Sequence, residues 1–404
     1  MTSRRRVVVT GLGAVTSIGT TAPEFWKNLL AGTCGIRPVS LFDASAYRTR
    51  TAAEVGEIPD GFLSAAEKRR MSRADRMGLA AAAEALAQSG LDPAREDPTR
   101  IGVILGGGTS GLLDSEQVYE KWLHGRKGRP SRVLNHLPDA ITDRVAQRFG
   151  LEGIKSTITT ACSSAANAMG YAFDAIVAGL ADAVVTGGSD VLARLTYGGF
   201  NSLRSVDPAP CRPFDRERRG LSIGEAAGIL VFEDEEYARR RGAEILGEFL
   251  GYGVTSDAFH MTAPDPSGAA GGRTIRAALK SARVDGSAID YVNAHGTATP
   301  QNDSAETAAL KSALGNRARE IPISSIKSMI GHCLCASGAI EAVATVLTVR
   351  EGRIPPTIHY EHPDPACDLD YVPNEAREQP VRVALSNSFA FGGNSSVVVI
   401  GRHE

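Results

Sequence analysis

From Ser163 to Leu180 the sequence is apolar on almost every side of a helix, with Asp174 its one charged residue. A surface helix keeps a polar face, so a helix without one belongs in the centre, covered from both sides. Around this segment, short β-branched runs alternate with helical stretches, the pattern of a layered α/β fold. Candidate strands are Val7–Thr10, Ile101–Leu105, Ile158–Thr160, Ala183–Thr186, Ile229–Phe232, Ile289–Asn293, Ile323–Ser325, Arg382–Ser386 and Val397–Ile400. Candidate helices are Pro23–Ala31, Ala74–Gln88, Ser163–Ala178, Gly272–Ala282, Ser304–Leu314 and Ala336–Glu351. Several of the strands are apolar on both faces, as in a sheet covered above and below. The 43 glycines, about a tenth of the chain against a usual ~7%, suit many tight strand-to-helix turns.

A weak internal echo runs through these elements. Val103-Ile-Leu-Gly-Gly-Gly-Thr109 and Tyr291-Val-Asn-Ala-His-Gly-Thr297 each end a strand in a Gly-Thr turn. Small-residue helices then begin near Cys162 and near His332, and each half closes on a strand with glycine, Val184–Gly187 and Val398–Gly401. The echo predicts two related halves joined near Arg239–Ile245, residues 1–243 and 244–404. The stretch His124–Arg132, with four basic residues, Gly and Pro, reads as an exposed loop.

At 404 residues, ~150 residues per domain gives two or three folding units. The 44 Lys and Arg against 46 Asp and Glu leave a formal charge of -2, without the basic surplus that nucleic-acid binding calls for. Six irregularly spaced cysteines make no disulfide framework, so a reducing cytoplasm is expected. No window approaches the ~20 apolar residues of a membrane span. Arg4-Arg-Arg6 before Val7-Val-Val9 has the look of a targeting signal. Gly11 and Gly13 interrupt that run, however, and no Ala-x-Ala site follows, so it reads as a first buried strand.

The sharpest chemical signal is Thr159-Thr-Ala-Cys162-Ser-Ser-Ala165, where a β-rich run gives way to the central helix. A cysteine at a helix N-terminus sits in a field of roughly +0.5 charge that favours thiolate. Such a nucleophile needs partners. His295 lies in a Gly-Thr turn at the end of a strand, where open α/β sheets place their ligands, and His332 precedes another small-residue helix. A fourth block, Asn387-Ser-Phe389-Ala-Phe391-Gly-Gly-Asn394, suggests a loop whose backbone N–H groups face a ligand.

These blocks, in this order, resemble the elongating β-ketoacyl-acyl-carrier-protein synthases of the thiolase superfamily. The resemblance runs from Val7-Val-Val-Thr-Gly-Leu-Gly13 to Phe391-Gly-Gly393, through Arg212-Pro-Phe-Asp215 and Gly224-Glu-Ala-Ala-Gly228. It implies a five-layer αβαβα fold of two similar halves, the first carrying the nucleophile and the second both histidines. It also implies a homodimer, or a heterodimer with a homologous subunit, acting on acyl and malonyl groups borne by acyl carrier protein. By the same resemblance Cys162 accepts the acyl group and His295 and His332 act on malonyl. Lys327 and Glu341 form a supporting ion pair, and Thr297 and Thr299 bind the pantetheine arm. The N–H groups of Cys162 and Phe391 form an oxyanion hole, and Phe389 and Phe391 line the substrate site with Phe391 as acyl gate. No metal, organic cofactor, nucleic acid or membrane is called for. The reaction is decarboxylative condensation in fatty-acid elongation, with a type II polyketide or polyene pathway as the alternative.

Three departures stand out: Ala390 where the family has glycine, Asn394-Ser395 for Thr-Asn, and Cys333 and Cys335 after His332. Lys68, Arg69, Arg70, Arg73 and Arg76 cluster in one segment; Lys68, Arg69 and Arg70 are the expected docking residues for an acidic carrier. Two other readings fit less well. Gly11-Leu-Gly13 after a strand suggests a dinucleotide site, but the G-x-G-x-x-G pattern fails at Thr16. His332, Cys333 and Cys335 suggest a metal site, but Cys-x-Cys at a helix start points its thiols apart.

Overall fold

The computed structural model describes residues 4–404. Its first half runs β1 (Val7–Val15), α1 (Arg73–Ser89), β2 (Ile101–Gly106), α2 (Ala140–Phe149), β3 (Lys155–Ile158), α3 (Ser164–Val177), β4 (Ala183–Asp190) and β5 (Ala226–Asp234). The second half repeats the series: β6 (Gly247–Ser256), α4 (Ala269–Ala282), β7 (Tyr291–Asn293), α5 (Pro300–Leu314), β8 (Ile323–Ser324), α6 (Ser337–Glu351), β9 (Val383–Phe389) and β10 (Asn394–Gly401).

Strand order makes the duplication explicit. The 10-stranded sheet reads β8-β7-β9-β10-β6-β1-β5-β4-β2-β3, so each half follows the same permutation outward from its first strand. Directions match as well. β1–β5 and β5–β4 are antiparallel, as are β6–β10 and β10–β9. β4–β2 and β2–β3 are parallel, as are β9–β7 and β7–β8. The halves join where Val7–Val9 pair antiparallel with Gly247–Phe249.

Helices α3 and α6 pack against each other and against strands of both halves, while α1 and α2 cover the outer face of the first half and α4 and α5 that of the second. This is the expected αβαβα stack. The apolar segment becomes its central helix over Ser164–Val177, buried except at Tyr171, Asp174 and Val177. Leu180 lies beyond it and is exposed, so the expected all-round burial does not reach the segment's end. Helix α6 beside it is buried along nearly its whole length. No described helix is long and apolar enough to cross a membrane.

Several expectations shift. The strand expected at Ile158–Thr160 lies at Lys155–Ile158, because the ladder to β2 ends at Ile158 and Ala161 turns the chain with φ 51. The first strand continues past Thr10 to Val15, carrying Gly11 and Gly13 inside it. A Cβ on either glycine would lie 2.0 Å from the Ala85 carbonyl oxygen or 1.9 Å from that of Ala81. Those glycines admit α1 onto the strand and do not cradle a phosphate. The sequence reading also missed β6, α2 and the helices Leu112–Leu123 and Arg194–Ser202. The basic stretch from His124 is largely exposed, and its end enters a 3-10 turn at Pro130–His136.

Candidate active site

Cys162 stands on the turn between β3 and α3, 7% exposed. The turn is held locally: Ser163 donates through N–H (3.3 Å) and Oγ (2.9 Å) to the Thr160 carbonyl, and Ser164 Oγ accepts the Thr160 N–H (2.9 Å). Asn167 Nδ2 adds a bond to Thr160 Oγ1 at 2.8 Å. Helix α3 starts at Ser164 with Ser163 as its N-cap, so Cys162 lies just before the helix.

His295 follows β7. Its backbone N–H and that of Gly296 both donate to the Glu306 carboxylate at 2.8 Å, and Asn387 Nδ2 donates to the same group at 2.9 Å. His332 is held by its N–H to the Ser222 carbonyl (2.7 Å) and by its own carbonyl, which accepts Gly224 N–H (2.9 Å). Leu334 N–H donates to His332 Nδ1 at 3.1 Å, and Ser337 Oγ lies 2.9 Å from the same nitrogen. With Nδ1 accepting, the hydrogen of the neutral ring sits on Nε2. The two imidazoles meet edge to face, centroids 5.3 Å apart, and His295 Nδ1 has no partner.

Cys162, both histidines, Thr297, Thr299, Phe389 and Phe391 line one cleft. Thr297 and Thr299 hydroxyls are 2.9 Å apart, and Thr299 also caps α5. The Phe391 ring lies 5.7 Å from that of Phe200, and Phe389 stands 6.2 Å from His295. Lys327 and Glu341 form an ion pair, each 1% exposed.

Burial governs the charges here. It pushes the Cys162 thiol up to about 11, although the Lys327 charge and the N–H groups of Phe391 and Cys162 pull it down. The thiolate expected from the helix terminus is therefore not the resting form, because the cost of burying the charge outweighs that field. Both histidines are held well below their ordinary value by burial and by Lys327, and His295 also by His332. They are neutral N–H donors. Glu341 is raised to about 7 by burial against the pull of Lys327. Two N–H groups at the thiol and two neutral imidazoles lining the same cleft can serve oxygens that gain negative charge at two stages of an acyl-transfer sequence.

The sequence reading missed Glu306, which fixes the His295 turn. Its only signal is an acid on the helix following the His-Gly-Thr turn, and such an acid normally marks a solvated face. His332, Cys333 and Cys335 do not converge: the Cys333 thiol is directed at the Ile330 and Gly331 carbonyls, and the Cys335 thiol at Ser164 and Asp190.

In the basic segment, Lys68 and Arg76 are bound to Asp60 and Arg73 to Glu225, leaving Arg69 and Arg70 exposed. None of the five lines the cleft. Charge reversal at Arg69 and Arg70 is expected to raise KM for carrier-bound substrates, most at low salt. An equal rise with small pantetheine thioesters removes a docking role. Ala390 sits at φ -101, ψ 156, 9% exposed, a conformation open to any residue. Glycine there adds freedom only when the loop moves. Ala390→Gly is expected to speed the first acyl transfer or widen chain-length tolerance, measured with acyl donors of graded length; an unchanged series denies the loop a gating role.

Residues 4–238 match the family model described as Beta-ketoacyl synthase, N-terminal domain, and residues 246–361 match Beta-ketoacyl synthase, C-terminal domain. The chain is 41% identical over 411 residues to 3-oxoacyl-(acyl-carrier-protein) synthase 2 of Synechocystis sp., covering 99% of both chains. It is 43% identical over 416 residues to the tetracenomycin polyketide synthase ketoacyl synthase alpha subunit of Streptomyces glaucescens, covering 99% of this chain and 98% of that one. Among solved structures, the ishigamide ketosynthase/chain length factor superposes with a TM-score of 0.94 at 36% identity over 100% of both chains.

Proposed function

The chain belongs to the β-ketoacyl synthase family, and from that membership we propose that it elongates acyl chains on acyl carrier protein by decarboxylative condensation with malonyl groups. The observation that carries this reading is one cleft holding Cys162, the N–H groups at its thiol, and two neutral histidines. The division falls at 243/244, with the nucleophile in the first part and both histidines in the second.

In the first stage the Cys162 sulfur attacks the acyl thioester, and the Cys162 and Phe391 N–H groups take the tetrahedral oxyanion. The carrier thiol leaves with the proton, and the acyl group remains on Cys162. In the second stage malonyl-carrier protein enters along Thr297 and Thr299. Its carboxylate departs as carbon dioxide, and the electron pair passes to the α-carbon and thioester oxygen, which His295 and His332 N–H groups receive. That carbon attacks the acyl-Cys162 carbonyl, the sulfur leaves, and one proton taken from solvent restores the thiol. Lys327 and Glu341 hold the field around the histidines. The leaving carboxylate generates the nucleophile, so the scheme calls for no metal or organic cofactor. Six free cysteines suit a reducing, cytoplasmic setting.

A second reading, a type II polyketide or polyene ketosynthase paired with a homologous subunit, draws on the likeness to the ishigamide ketosynthase/chain length factor. Trp122, Leu123, Leu134 and Leu137 are 49%, 67%, 66% and 53% exposed, apolar side chains that suit cover by a second subunit of either kind. Mass spectrometry of carrier-bound products from graded acyl donors tests the activity, and the native mass of the complex distinguishes a homodimer from a mixed pair. Absence of any β-ketoacyl product with malonyl- and acyl-carrier protein would sink both readings.

A further inference from the structure

Asp190 ends β4 with no exposed surface. Its Oδ1 accepts the Thr109 N–H (3.0 Å), the Thr109 hydroxyl, the Ser110 N–H (3.3 Å) and the Val191 N–H (3.1 Å). Its Oδ2 accepts the Cys335 N–H at 3.1 Å. Among the described residues it has no salt-bridge partner, although burying a carboxylate without a cation is costly. The bonds therefore tie together three segments: the turn after β2, the end of β4, and the turn that opens α6. The last lies in the second half, so the tie crosses between the repeats.

The Cys335 bond has a consequence for chemistry. Leu334, the residue before it, is held at φ 51, a left-handed conformation that a branched side chain resists and that persists only where its surroundings enforce it. In that conformation Leu334 N–H points at His332 Nδ1. On one side of Leu334 the chain is anchored by the His332 bonds to Ser222 and Gly224. On the other side Cys335 N–H is anchored by Asp190. Glu306 does a comparable service for His295 by accepting two backbone N–H groups.

We propose that Asp190 is a positioning residue for His332: its carboxylate clamps the strained Leu334–Cys335 turn, which aims Leu334 N–H at the imidazole and keeps the ring hydrogen on Nε2, towards the cleft. Its effect on rate rests on the reading of His332 as a donor to the malonyl thioester; its effect on the tautomer does not.

The test is Asp190→Asn, which keeps the shape but turns an NH2 towards donors that now lack an acceptor. Histidine 15N spectra, with the His332 signals identified by their loss in His332→Ala, are expected to show Nδ1 moving away from its acceptor position. Carbon dioxide release from malonyl-carrier protein should fall ~10–10²-fold, the scale of a misplaced group in an ordered site. Acylation of Cys162 does not draw on His332, and removing the Asp190 charge takes away one of the influences that hold the thiol up, so acylation should not fall along with decarboxylation. Should the Asn variant not fold, Asp190→Glu keeps an acceptor displaced by one methylene and should move the same signals less. Unchanged His332 signals in the variants that fold, or acylation and decarboxylation lost by the same factor, would overturn the clamp. If wild-type protein releases no carbon dioxide from malonyl-carrier protein, the functional reading fails, and the 15N result still decides the clamp.

Discussion

Cys162→Ala is expected to abolish acylation and condensation while some carbon dioxide release from malonyl-carrier protein survives. In the proposed reaction the two stages draw on different groups of one cleft: the first on the thiol and the N–H groups of Cys162 and Phe391, the second on the imidazoles. His295→Ala and His332→Ala should therefore still carry an acyl group on Cys162, yet lose decarboxylation by ~10²–10³-fold, the effect of one missing oxyanion donor. Groups that act as a unit do not add, so the double histidine variant should be little worse than either single one. Intact-protein mass spectra report the acyl-cysteine, and trapped carbon dioxide reports the other stage. Condensation by Cys162→Ala, or normal decarboxylation by both histidine variants, contradicts this division of labour.

Why these groups were legible in sequence, while others were not, follows from where their signals lie. Ser163–Leu180 announced a central helix because its composition has almost no polar face, and the structure packs Ser164–Val177 between both halves, leaving Tyr171 and Leu180 exposed, which composition alone does not show. The repeated Gly-Thr turns pointed to duplication, but the matching strand permutation needed β6, whose Gly247–Ser256 run carries too many glycines and polar residues to read as a strand. Cys162, His295 and His332 stood out because reactive side chains in small-residue turns are conspicuous. Their supports did not stand out. Glu306 and Asp190 act by accepting backbone N–H groups from segments distant in sequence, and nothing in the local sequence distinguishes such an acid from a solvated one. The protonation of Cys162 was misread for a related reason: a helix terminus is visible in sequence, but the burial that outweighs it is a property of the packed whole.

Lys327→Met is expected to cost about 3–5 kcal/mol of stability, the range for stranding one partner of a buried ion pair, since Lys327 and Glu341 are each 1% exposed. The loss should depend on pH. Glu341 is raised by burial to about 7 in the folded protein from 4.5, with Lys327 pulling it down. Its folded value lies above its unfolded one, so its contribution is fully present below the unfolded value and is lost as pH rises through the folded value. Without Lys327 the folded value climbs further, so the decline should extend to higher pH, as urea titrations at a series of pH values would record. Function should respond separately. Lys327 is also the leading charge that lowers Cys162 against burial, so its removal raises the thiol further. Alkylation of Cys162 by iodoacetamide should then slow about tenfold for each unit of that rise, because the minor thiolate form is what reacts. Adding Glu341→Gln leaves no charge stranded and should return most of the stability. It cannot return the missing field of Lys327, so alkylation should remain slow. A double variant that recovers both together would mean that Lys327 does not act on Cys162 through its charge, and a single variant that leaves the urea midpoint unmoved would mean that the buried pair does not hold the fold.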